Sequence, residues 1–293
     1  MLKRAMGLGM LCAAILVTAC IDTTTVISVR RDGSGIITET TYLDESMEAM
    51  MKGMMAQFDD EGEAEAEVKE ENGLKIDEYK EKAAKMGKGV SFVSAKEVEN
   101  ENGNKGVKVV YAFKDVRALN IDAKPDNPMG DQMAGAMGAE ESENKGKDDS
   151  ITFDFVNGRT PKLIVHVPKD DEEKIERDDE GEEGEDRDIS DEDSEMGMQM
   201  AKQMFKGFRI RIMVDLLEGK IQKTNASFVE SVKGKDTVTL LDLNFGEIMG
   251  NEKYMKELEG MSRVKDPDKA LAAMKAIPGL KVETQEKVEI NFR

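Results

Sequence analysis

Apolar and polar residues alternate with period two over much of the chain. In residues 24–43, "TTVISVRRDGSGIITETTYL", two β-rich runs flank Asp32-Gly33-Ser34-Gly35. Glycine tolerates the positive φ of a tight turn, so this is a hairpin signal. Residues 90–113 repeat it, with Val107, Val109, Tyr111 and Phe113 on one face. Residues 150–167 give a third pair, in which Ile151, Phe153 and Phe155 alternate. Residues 208–243 read as a three-stranded meander whose turns fall at Gly219 and Gly234. There Phe208, Ile210, Ile212, Val214 and Leu216 point one way, and Arg209, Arg211 and Asp215 the other. At the end of the chain Leu280, Val282, Val288, Ile290 and Phe292 are predicted to share one face. One buried and one wet face is the habit of antiparallel sheets.

Helical periodicity is confined to short segments. Asp44 can cap a helix running to Phe58, and Ser194 one ending near Lys206. Residues 74–86 predict a helix with Ile76, Tyr79, Ala83 and Met86 inward. Asn251 starts another through Leu258, and Asp266-Pro267 is a cap and first-turn pair for 266–276. Strands outnumber helices, which sit as amphipathic covers rather than crossovers. The predicted fold class is α+β, with antiparallel β-sheets built from hairpins and a meander, and Met-rich helices packed on one face.

Charge sets the domain organisation. Residues 59–72 are acidic, 122–149 are rich in Pro, Gly, Met, Asn and acids, and 169–193 carry roughly a dozen net negative charges. Such segments hold too little apolar surface to offset their ordering entropy, so flexible linkers are expected. They separate an N-terminal α+β region, 20–168, from a C-terminal one, 194–293, expected to share one core. The formal charge of −19 and the absence of Trp argue against nucleic-acid partners and against stacking platforms for bases or sugars.

The first 19 residues have a different grammar. A short basic start, Lys3-Arg4, precedes a mostly apolar run, residues 5–19. That length suits a secretory leader and is short for a membrane span, which needs about 20 residues. The run ends Leu16-Val17-Thr18-Ala19-Cys20, and this resembles a bacterial lipobox. The resemblance implies a signal peptide over 1–19, cleavage before Cys20, and a diacylglyceryl group on its sulfur. Two or more acyl chains make anchoring stable where one does not. The resemblance thus places the protein in a bacterial cell envelope, held at the inner or outer membrane and facing periplasm or exterior. Removal of Cys12 with the leader leaves one cysteine, hence no internal disulfide and no cysteine-based zinc site.

Candidate chemistry is sparse. Met47, Met50, Met51, Met54 and Met55 form one cluster, and Met196, Met198, Met200 and Met204 another. Thioethers are soft ligands suited to Cu(I), yet the first cluster's spacing is also the stripe of an amphipathic helix, where Met is a flexible filler. A Met-lined groove for a lipid or peptide is the third option. His166, the single histidine, faces away from Leu163, Val165 and Val167, as a surface residue would. No nucleophile elbow, EF-hand loop or phosphate loop is present. Asn225-Ala226-Ser227 matches a glycosylation acceptor but falls in a predicted strand. No catalytic residue, cofactor or enzymatic activity is expected.

Residues 208–245, with "EGKIQKTNA" and "DTVTLLDLNF", are similar to LppM-like envelope lipoproteins through Gly219, Thr224 and Asn225. That similarity implies an anchored α+β envelope domain, with an envelope protein or a lipid as possible ligand. The expected function is a lipid-anchored, non-enzymatic binding or scaffold module; the alternative is a carrier of a hydrophobic ligand or of Cu(I).

Overall fold

A computed structural model describes residues 21–43, 74–123, 150–168, 207–232, 234–261 and 267–293. Cys20, the nine candidate methionines, the predicted helices after Asp44 and Ser194, the linkers 59–72 and 169–193 and residues 124–149 of the third linker lie outside them; the first residue of that predicted linker, Asp122, instead ends a strand.

The strands are β1 (Ile21–Val29), β2 (Gly35–Leu43), β3 (Ser91–Glu99), β4 (Lys105–Phe113), β5 (Asn120–Asp122), β6 (Ser150–Val156) and β7 (Lys162–His166). They continue with β8 (Arg209–Leu216), β9 (Ile221–Thr224), β10 (Val229–Val232), β11 (Lys235–Asn244), β12 (Leu280–Val282) and β13 (Lys287–Phe292). Four helices are described: α1 (Ile76–Lys85), α2 (Phe245–Met249), α3 (Glu252–Met261) and α4 (Pro267–Ala276). The larger sheet has the order β10-β11-β8-β1-β2-β4-β3, with β12 also paired to β11. The smaller has the order β5-β6-β7-β13-β9.

Three hairpins form where the turn chemistry predicts them. At the β1–β2 turn Gly33 has φ +84°, and the Asp32 carboxylate accepts from Ser34 N–H at 2.9 Å and from its hydroxyl at 2.7 Å. At the β3–β4 turn Gly103 has φ +84° and the Asn100 side chain accepts from Asn102 N–H at 2.9 Å, while the β6–β7 hairpin closes without a positive-φ glycine. Helix α1 buries Ala83 and, just past its end, Met86. Its Tyr79 ring stacks on Phe92, and burial raises the phenol above its ordinary pKa.

Apolar faces of both sheets enter one core. Ile27, Ile37, Tyr111 and Val214 of the larger sheet meet Phe153, Leu163, Val165, Ile290 and Phe292 of the smaller, all nearly or fully buried. Residues on both sides of the acidic run 169–193 build it. A second cluster, Ile248, Met274, Ile277 and Leu280, seats α2 and α4 beside β12.

The structure corrects four expectations. The larger sheet is mixed rather than antiparallel, because β1 runs parallel to β8. Residues 208–243 are not a simple meander. The chain leaves β8 at Gly219 and crosses to the smaller sheet, where β9 pairs with β13. Only the Gly234 turn closes a hairpin, β10–β11, and β11 then returns to β8. The C-terminal apolar residues do not share a face either: β12 belongs to the larger sheet and β13 to the smaller. Finally, Asn225 lies just beyond β9. Its amide donates to the Lys287 carbonyl at 2.9 Å and accepts from Glu289 N–H at 2.7 Å.

Gly87 joins α1 to β3 and bridges to Leu119 at φ +139°. An added Cβ would stand 2.0 Å from the Ala118 carbonyl oxygen. Backbone strain and this clash together predict a loss of about 3 kcal/mol for Gly87→Ala, read as a lower denaturation midpoint.

Candidate functional site

The end of the larger sheet nearest Cys20 is the first place to look for function. β1 begins at Ile21, so Cys20 immediately precedes an ordered strand. That strand is interior: β2 lies on one side and β8 on the other. Ile21 pairs with Leu43 of β2, and Asp22 with Arg209 of β8. Arg209 in turn pairs with Asn244 of β11. Phe208 precedes Arg209 and Phe245 follows Asn244, and their rings meet edge to face at 5.3 Å. Phe245 N–H also donates to the Phe208 carbonyl at 2.9 Å. Phe208 is thus at the sheet end rather than in the buried core.

The polar face of these strands carries ion pairs. Strand alternation aims Arg209, Arg211 and Asp215 away from the core, as their spacing predicts. Arg209 grips Asp242 through two hydrogen bonds, 2.8 and 2.9 Å, and Arg211 reaches Asp22 at 3.0 Å. Lys235 pairs with Asp215 at 2.6 Å. Asp242 and Asp215 are buried. Bonding to Asp242 holds the Arg209 guanidinium above its usual pKa. Paired buried charges of this kind fix register and contribute little net stability, because desolvation offsets their attraction. They include no nucleophile and no free base.

A second feature is a groove of about 290 Å³ between the β9–β10 loop and the α4–β12 connection, lined by Phe228, Lys275, Pro278 and Gly279 among others. Lys275 Nζ lies 5.5 Å from the centre of the Phe228 ring, and Lys281 pairs with Glu230 at the rim. The volume falls just below the range of small-molecule sites, about 300–1,000 Å³.

Glu283, beside this groove, was not legible as a buried acid. Its carboxylate accepts from Ser227 N–H and hydroxyl, both 2.7 Å, and from Thr284 N–H at 2.9 Å and Gln285 N–H at 3.0 Å. The bonds lock the turn at which the chain passes from the larger sheet to the smaller. Removing the acceptor leaves these donors unmatched, so Glu283→Ala is expected to cost about 3 kcal/mol in denaturant unfolding, and Glu283→Gln less.

His166 is half exposed, and its Nε2 contacts Asp154 Oδ2 at 2.9 Å across the β6–β7 pair. The contact is a diagonal cross-strand pair on the face away from the core. Among the described residues, no three His, Cys, Asp or Glu side chains are grouped to hold a metal, and no helix is long and apolar enough to cross a membrane. The Cu(I) candidates Met47, Met50, Met51, Met54, Met55, Met196, Met198, Met200 and Met204 are not among them. Set against protein families, characterised proteins and solved structures, the chain matches none.

Proposed function

We propose that the protein is a lipid-anchored module of a bacterial cell envelope that binds or scaffolds rather than catalyses. One observation carries the reading: the lipobox-like Leu16-Val17-Thr18-Ala19-Cys20 ends where β1 begins, at Ile21. A secretory leader cut before Cys20 would release a chain that is folded from its second residue. The likeness of residues 208–245 to LppM-like lipoproteins supports the same assignment. The scaffold reading draws further support from the described core, where large side chains such as Tyr111, Phe292 and Leu163 fill the space between the sheets. His166 paired with Asp154 on an exposed strand face supports a non-catalytic role.

The test is mass spectrometry of the N-terminal peptide from membranes of an expressing bacterium. A peptide starting at Cys20 and carrying acyl chains is the expected result. An unmodified Cys20 within an uncut leader, or cleavage elsewhere, refutes the proposal.

A further inference from the structure

We propose that the sheet end formed by Leu43, Ile21, Phe208 and Phe245 rests directly on the phospholipid bilayer. The inference rests on acylation of Cys20 and adds an orientation and a contact surface to it.

Reach comes first. One residue extends the chain by at most about 3.6 Å, and a single peptide step separates Cys20 from β1. The anchor is therefore held near the middle of a strand order seven members long, not on a flexible arm. A sulfur bonded to lipid brings the neighbouring strand ends down with it.

Those ends have the right chemistry. Leu43 lies opposite Ile21 on one side, while Phe208 and Phe245 follow on the other through the Asp22–Arg209–Asn244 register. With strands spaced about 4.8 Å apart, the four residues form a row about 15 Å long. All four side chains are partly exposed, and Tyr42 beside them is too. Aromatic rings with aliphatic neighbours suit the boundary between headgroups and acyl chains.

Charge favours the same end. The whole chain carries −19, which anionic headgroups repel. At this end, however, Asp22 pairs with Arg211 and Arg209 with Asp242, while Glu99 faces Lys105 across β3 and β4. These described pairs present balanced charge to the bilayer, and Glu247, exposed two residues past Phe245 and bonded to Asn244, adds one negative charge at the edge of the row. The nine residues of β1 then lift the Arg30–Ser34 turn about 30 Å away, at the strand rise of about 3.3 Å per residue.

The absence of Trp permits a direct measurement. Phe208→Trp, Phe245→Trp and Val156→Trp are made separately in the full chain. Val156, exposed beside the β6–β7 turn, reports the opposite end; Arg31 Nη2 donates to the Arg159 carbonyl there. Acylated protein is inserted into phosphatidylcholine vesicles with or without brominated acyl chains. We expect bromine to lower emission about twofold at positions 208 and 245, given an interfacial depth of about 5–10 Å, and to leave position 156 unchanged. Acylated protein quenched no more at 208 and 245 than at 156 overturns the orientation and leaves the anchor standing. A product without acyl chains overturns both.

Discussion

Cys20→Ser is expected to abolish acyl labelling and to remove the processed, membrane-pelleting form of the protein. This is the largest expected effect of any single substitution, because it would delete the proposed anchor rather than weaken a contact. Each buried methylene contributes about 0.8 kcal/mol, so losing two or more chains changes the partition between membrane and water by many orders of magnitude. No described helix can substitute as a membrane span. Fold stability is expected to stay within about 0.5 kcal/mol of wild type, since the change falls before the first described strand, at Ile21. Radiolabelled palmitate with fractionation reads the first outcome, and denaturant unfolding of the soluble domain the second. Label retained by the serine variant would rule out Cys20 as the acylated residue.

Phe292→Ala is the most damaging change expected within the fold. The Phe292 side chain is fully buried, with the Phe155 ring 6.4 Å away, and β13 is held between β7 and β9. Truncation removes the transfer free energy of the ring and leaves a cavity between the sheets, a loss of about 4 kcal/mol. Total stability of a domain is only about 5–15 kcal/mol, so the variant should lose roughly 10 °C in Tm. Val156→Ala, at an exposed position, should leave Tm within about 1 °C. Equal Tm for Phe292→Ala and wild type would show that the two sheets do not share this core.

The contrast between local and long-range grammar explains which parts of the fold could be read from sequence. The hairpins at Gly33 and Gly234 and the inward set Ala83 and Met86 follow from nearest-neighbour periodicity and turn chemistry. Gly219 obeys the same local rule, with φ +85°, yet its turn sends the chain to another sheet. There a Cβ would stand 2.6 Å from the Arg293 carbonyl oxygen. No local pattern distinguishes the two uses of glycine. Strand β9 has one apolar residue, Ile221, too few for alternation to announce which sheet it joins. Glu283 was hidden because an acidic residue reads as solvated, and only its donors show otherwise. The Leu43–Ile21–Phe208–Phe245 row was not legible, because it exists only through the register of four strands distant in sequence.

The parallel pairing of β1 with β8 also bears on the proposed export of the chain. Strand β1 is the first of the described strands to be synthesised, yet its neighbour around Arg209 comes far later. Closing so long a loop is entropically slow. Until that closure the nascent polypeptide has no completed central layer. On the proposed export route, a late-forming middle would keep it threadable through a translocation channel until the pairing closes.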